Sequence, residues 1–324
     1  MKRIVPFLLT IAMTSCGSDR DDHASDIPSR DFRQDMRELV RGISAKAKSE
    51  HPGFAVIPQN GIELVSTNNS EVGPPATTYL AAIDGNGQED LFYGYDNDNV
   101  ATPTSVTSYL RSYLDLSKSA GKTILVIDYA STPSKMQDAR IQNDAAGYVG
   151  FAEPYRNLDA IPTDPPHHEN TVDITQLSEA RNFLFFINPQ FTSKTAFLDA
   201  VKATNYDAVI LDLFYENEAL TPADLDQIRF KANGGRRMLI CYMSIGEAED
   251  YRYYWQSSWS SNRPAWLESE NPDWPGNYKV QYWNADWQSI IYKGSDSYLD
   301  RILGAGFDGV YLDIIDAFEY FEAQ

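Results

Sequence analysis

Short apolar runs that stop on a carboxylate recur along this chain, and the last of them lies almost at its end. In "GFDGVYLDIIDAFEYFEAQ", residues 306–324, the run Val310-Tyr311-Leu312 follows the turn Phe307-Asp308-Gly309 and closes on Asp313, with Asp316 just beyond. Such a run reads as a buried parallel strand that delivers acidic side chains at its C-terminal tip. A parallel strand needs a covering helix after it, and hardly any chain remains to form one. The helix must come from elsewhere. Residues 31–50 place Phe32, Met36, Leu39, Val40, Ile43 and Ala47 at helical spacing, so the N-terminal helix is the candidate.

Between these ends the chain alternates. "GFAVIPQNG" reads as a strand ending at Gln59 and Asn60, "TYLAAIDGNGQEDLFYG" carries one leading to Asp84 and Glu89, and "KTILVIDYA" ends on Asp128 and Tyr129. "AGYVGFAEPYRNLDAI" holds a weaker candidate, and "PTDPPHHENT", residues 162–171, reads as a linker. Five strands follow: "NFLFFINP", "YDAVILDLF" tipped by Asp212, "RRMLICYMSIGEAEDYR" leading to Glu247, Glu249 and Asp250, "NYKVQYWN", and "DGVYLDIID". Three clear strands before the linker and five after it make eight β/α units, the count of an α/β TIM barrel. The barrel would close through the chain's two ends, with the linker joining what are ordinarily termini. Two separate domains of three and five units would instead leave sheet edges open.

The first residues, "MKRIVPFLLTIAMTSCGSDRDD", combine a basic start with an apolar stretch too short to span a bilayer. They resemble a bacterial lipoprotein signal, residues 1–15, in which Cys16 is diacylated; residues 16–30 then form a flexible tether. Loss of Lys2 and Arg3 would take the formal charge from −19 to −21. That balance excludes a nucleic-acid surface and suits a neutral or cationic partner. The only other cysteine, Cys241, sits in the apolar run "MLICYM" as a core residue. "NGGR" at 233–236 is a helix-stop turn. No phosphate loop and no cysteine pair for zinc is present, and His167-His168 with Glu169 read as solvated linker, so no metal or cofactor is expected.

"KANGGRRMLICYMSIGEAEDYRYYW", "NPDWPGNYKVQYWNADWQSII" and "GFDGVYLDIIDAFEYF" resemble the glycoside hydrolase family 114 barrels, the endo-α-1,4-polygalactosaminidase-like proteins. "FAVIPQNGIEL", "AAIDGNGQEDLFYG" and "TILVIDYA" resemble the second half of the same family, which ordinarily follows the Asp-Ile-Ile-Asp strand. The resemblance covers nearly the whole chain in swapped order and implies a circularly permuted (β/α)8 TIM barrel at residues 31–324. One departure stands out. Where the active branch carries Glu-Pro-Asp-Asn, this chain has Tyr311-Leu312-Asp313-Ile314, keeping the aspartate and not the glutamate.

The implied chemistry is glycoside hydrolysis, in which one carboxyl group protonates the leaving oxygen and another attacks or activates water. Asp212, Glu247 and Asp313, at three strand tips, are the catalytic candidates, with Glu247 the expected proton donor and Asp212 or Asp313 ionised. Asp128, Glu89, Gln59, Asn60, Glu249 and Asp316 would contribute to substrate binding from the same rim. All six tryptophans fall within residues 255–287; Trp283, with Tyr242 and Tyr129, is expected to stack on sugar rings while the rest pack the long loop. These expectations describe a monomeric, lipid-anchored hydrolase of an amino-sugar polysaccharide in the bacterial cell envelope, facing periplasm or exterior. The alternative is a carbohydrate-binding lipoprotein that kept the groove and lost hydrolysis.

Overall fold

The computed structural model describes residues 30–68 and 72–324. The expected signal sequence, Cys16 and the expected tether lie outside the described residues, apart from Arg30.

Eight parallel strands organise the chain: β1 (Ala55–Pro58), β2 (Gly85–Glu89), β3 (Thr123–Tyr129), β4 (Val149–Glu153), β5 (Phe183–Phe185), β6 (Ala208–Asp212), β7 (Met238–Ser244) and β8 (Gly309–Asp313). They pair as two all-parallel sheets, one in the order β1-β8-β7-β6-β5 and one in the order β2-β3-β4. The sheets meet at β1 and β2, where Gln59 bridges Gly87 in parallel and Asn60 N–H donates to the Gly87 carbonyl at 2.9 Å. At the opposite seam no ladder joins β4 to β5 among the described residues. There the rings of Phe151 and Phe183, 5.5 Å apart, fill the gap.

The predicted strand count needs one exchange. The weak candidate in "AGYVGFAEPYRNLDAI" is the parallel strand β4, so four strands precede the linker and four follow it. "NYKVQYWN" instead gives Asn277–Val280, the middle of a small antiparallel sheet with Glu247–Glu249 and Leu267–Glu270. Partial burial explains it. Val280 is buried and Asn277 to Lys279 only partly so, the burial of a strand with one wet face.

The question posed by the chain's end is answered by register. β8 lies between β7 and β1, with Ala55 opposite Gly309 and Pro58 opposite Leu312. The helix α1 (Phe32–Glu50) supplies the missing cover. Asp31 caps its start by accepting from Gln34 N–H at 2.8 Å, and Met36, Leu39, Val40, Ile43 and Ala47 are fully buried along one face. Each of the larger aliphatic side chains on that face contributes about 1.5–3 kcal/mol. The chain still manages one more short helix, Ala317–Glu322, which docks on the start of α1. Arg33 pairs with Glu322 at 2.9 Å, and Phe32 stacks on Phe321 at 5.5 Å.

Residues 162–171 do run as irregular chain between the halves, and the run continues to β5 with one turn of 3₁₀ helix at Leu177–Glu179. It is pinned beneath β7. Lys231 Nζ donates to the Val172 carbonyl and forms a fully buried ion pair with Asp207, each at 2.8 Å.

Candidate active site

Residues paired in parallel register share a face. Those pairings align Glu89 with Ile127, Tyr129 with Glu153, and Asp212 with Tyr242 and Tyr311. Tyr311 packs on Phe185 at 5.1 Å within this inner layer, so the side chains that crown it are Gln59, Glu89, Tyr129, Glu153, Asp212, Tyr242 and Asp313. Three of the tips are followed at once by a left-handed residue: Asn60 (φ 58°), Asp90 (φ 59°) and Ile314 (φ 59°). For a β-branched residue such as Ile314 this conformation is costly. Its N–H donates to Asp313 Oδ1 at 2.8 Å, so the sharp turn also holds the carboxylate.

Asp313 is the centre. Tyr242 Oη donates to its Oδ2 at 2.6 Å. Burial, reinforced by the charge of Glu89 and opposed by the Tyr242 and Ile314 hydrogen bonds, raises its carboxyl to about 7. A carboxyl in that range has the proton affinity of a general acid at neutral pH. Asp212 sits in a different environment. Arg252 reaches it with both terminal nitrogens, at 2.8 and 2.7 Å, and Phe214 N–H donates to it at 2.8 Å. The same guanidinium donates through Nε to Glu249 at 2.5 Å, so one buried arginine holds two carboxylates.

The opposite side of the mouth is built by Glu89. Tyr129 Oη donates to it at 2.5 Å and Asn60 Nδ2 at 3.3 Å, while Arg156 lies 4.0 Å over the Tyr129 ring. Arg156 also pairs with Asp90 at 2.6 Å and with Asp98. Burial pushes Asp90 up to about 7 despite that pairing. Gln59 is buried just past the β1 tip with its Oε1 unpartnered.

Four expected site residues lie away from the crowning layer. Glu247 is not the tip of the long strand, because β7 ends at Ser244 and Glu247 opens the small antiparallel sheet. It stands directly across from Lys279, pairs with it at 2.7 Å and accepts from Asn271 at 2.8 Å. Its carboxylate is thus engaged by Lys279 and two asparagines, Asn271 and Asn277, away from the parallel-strand tips. Asp316 adjoins this pair and is raised to about 7, by burial first and then by Glu319. Asp128 faces outward. It accepts from the Phe92 and Tyr93 amides and from Asn143 of the helix Pro133–Ala146, and burial raises it to about 6. Trp283 is half-buried and packs at 5.1 Å from Phe32 and 4.7 Å from Phe321.

The other aromatic expectations divide cleanly. Trp255, Trp259, Trp266 and Trp287 form a chain of rings 5.1–5.2 Å apart, and Trp255 also packs on Tyr278 at 4.8 Å. Exposed rings on loops that follow the strands are Tyr155, Tyr251 and Trp274. Glu153, at the tip of β4, went unread in the sequence. It is 1% exposed, accepts from Tyr155 N–H at 3.0 Å, leaves Oε2 unpartnered, and is raised by burial to about 8. Its signal was an acid closing the "VGFAE" run, the same grammar as Asp212 and Asp313.

Comparison with known proteins touches the second half of the chain. The model of glycoside-hydrolase family GH114 matches residues 196–324. An uncharacterised protein of Methanocaldococcus jannaschii is 39% identical over 154 residues, 47% of this chain and 42% of its own. Uncharacterised proteins of Deinococcus radiodurans and Thermotoga maritima are 45% identical over 122 residues and 36% over 150; the matches cover 38% and 46% of this chain, and 37% and 45% of theirs. The chain thus spans less than half the length of these relatives. The stretch that holds Asp212, Arg252, Tyr242 and Asp313 is the stretch that matches the glycoside-hydrolase family GH114.

Proposed function

We propose that this chain is a lipid-anchored glycoside hydrolase on a circularly permuted eight-stranded α/β barrel, acting on an amino-sugar polysaccharide. The observation that carries the reading is the pairing of two unlike carboxyl groups at one mouth. Asp313, half-buried and raised to about 7, is the proton donor to the leaving glycosidic oxygen. Asp212, ion-paired to Arg252, is the carboxylate that attacks the anomeric carbon or orients the water that does. β7 separates their strands, so the two backbones stand two strand spacings apart, about 10 Å. A sugar ring bound between them would meet Tyr242 and Tyr129 at its edge and Glu89 and Gln59 at its hydroxyls or amines. A formal charge of −19 suits a polymer that is partly cationic after deacetylation. Cys16 is the proposed acylation site, facing the periplasm or exterior.

A specific feature favours a second reading, a carbohydrate-binding lipoprotein without turnover. Tyr311 stands where the resembled family carries glutamate, and its hydroxyl is buried without a partner. Release of reducing ends from purified, partly deacetylated amino-sugar polysaccharides separates the two. Cleavage that disappears in Asp313→Asn supports the hydrolase. Binding without cleavage moves the assignment to the lectin-like reading, and neither binding nor cleavage removes both.

A further inference from the structure

At the end of the molecule opposite the strand tips, the helix Pro133–Ala146 finishes beside the linker. There His167 Nε2 lies 2.9 Å from Asp144 Oδ2, and His168 Nε2 lies 2.9 Å from Asp144 Oδ1. One ligand atom from each residue falls within 4.8 Å of the others, the single such convergence of His, Cys, Asp or Glu among the described residues. We propose that Asp144, His167 and His168 bind a divalent zinc ion that clips the linker to this helix.

The backbone is what makes the convergence possible. Successive side chains on extended chain point to opposite sides, so neighbouring histidines do not ordinarily meet at one ion. His168 adopts φ 57°, which folds the chain back and brings the two rings to 3.8 Å between centroids. That left-handed geometry is uncommon for a side-chain-bearing residue. It is held from outside, because the His168 carbonyl accepts from Asn170 Nδ2 and Asn182 Nδ2, each at 3.2 Å. The fold itself thus holds the two histidines beside Asp144.

The donor set selects the ion. Two imidazoles with one carboxylate suit zinc and its borderline neighbours, whereas calcium and magnesium take oxygen donors. The side chains are 28%, 50% and 40% exposed for His167, His168 and Asp144, which leaves an entry path and room for water in the fourth position. Glu169, the other acid in the run, is engaged by Asn205 and does not join. A bound ion would tie residue 144 to residues 167–168 and so stiffen the segment that joins the two halves.

Calorimetric titration of the chelator-treated full chain with zinc tests this, with thermal melting in parallel. The expected result is one zinc bound per chain and a raised melting temperature that chelator reverses. Asp144→Asn and His168→Asn, both polar and surface-compatible, should weaken binding about tenfold or more. Excess calcium should not displace the zinc. No zinc uptake by the wild type, equal affinity in both variants, or displacement by calcium would each overturn the site, the last by marking a carboxylate cluster elsewhere on an acidic surface.

Discussion

Tyr242 and Asp313 are joined by a 2.6 Å hydrogen bond from the phenol to Oδ2, linking the tips of adjacent strands at the centre of the mouth. That bond stabilises the ionised carboxylate and opposes the burial that raises it. If Asp313 donates a proton, turnover should fall as pH rises through about 7, where the acid is lost. Tyr242→Phe removes the opposing bond, so the alkaline limb should move to higher pH. Asp313→Asn should lower kcat by about 10²-fold or more with little change in folding. A kcat/KM profile whose alkaline limb stays put in Tyr242→Phe would contradict the assignment.

Stability should decline across the neutral range. Burial raises the carboxyls of Asp90, Asp313 and Asp316 to about 7 and that of Glu153 to about 8. Between the ordinary carboxylate range near 4 and these values, the folded chain holds protons the unfolded chain has released. The native state then binds more protons than the unfolded one, so the free energy of unfolding falls as pH rises. Melting temperatures should decrease from about pH 5 to about pH 8. Glu153→Gln, which cannot ionise, should flatten the upper part of that slope. A wild-type melting temperature that climbs over the same interval would rule the account out.

Tyr311 offers a test of the inner layer. Its hydroxyl is buried, has no hydrogen-bond partner, and lies where a methyl group on Gly87 would collide with it. Tyr311→Phe removes an unpaired polar group and should leave the melting temperature unchanged or higher. Gly87→Ala should do the reverse, driving the ring from its place and costing about 1–3 kcal/mol of overpacking. Urea unfolding of the two variants checks both signs. If Tyr311→Phe is the more damaging change, the hydroxyl has a partner after all.

Arg252 holds Asp212 and Glu249 together, and all three are shielded from solvent. Arg252→Leu would leave two carboxylates without their cation, a loss of about 3–5 kcal/mol for a broken buried pair. Arg252→Lys keeps the charge but lacks the fork that spans both acids, so an intermediate loss is expected. Chemical denaturation of the two variants is the measurement, and near-wild-type stability for Arg252→Leu would refute the bridging role.

Sequence grammar reached most of the strands because apolar runs ending on an acid are the signature of buried parallel strands. It failed where a strand needed small residues. In β4, a side chain on Gly150 would collide with Asn143, whose amide holds Asp128, so the run reads "VGFAE" and loses its apolar weight. The residue at its tip, Glu153, was lost with it. Spacing also could not say which way a tip residue points: Asp128 and Tyr129 are neighbours, yet one serves the helix layer and the other the mouth. Nor could it separate Glu247 from the strand before it, because the turn at Ile245 and Gly246 interrupts no hydrophobic pattern. What composition alone could not apportion was the aromatic segment, where Trp283 packs on Phe32 and Phe321.

The order of the halves can be tested by reversing it. Arg33 and Glu322 pair at 2.9 Å, so the start of α1 and the end of the chain lie side by side, within reach of a short linker. Residues 162–171 carry no helix or strand, and several of them are exposed, which makes that stretch a place where new termini are tolerated. A variant joined from residue 324 to residue 30 and opened within 162–165 should fold with the same strand pairings. It spares His167 and His168, so any loss does not come from the proposed zinc clip. Its circular dichroism should match the parent, and its melting temperature should fall by only a few degrees, since loop-closure entropy changes slowly with loop length. A chain that is unfolded in this order would mean that the two halves depend on their present connection through residues 162–171, and the permuted-barrel reading would have to be abandoned.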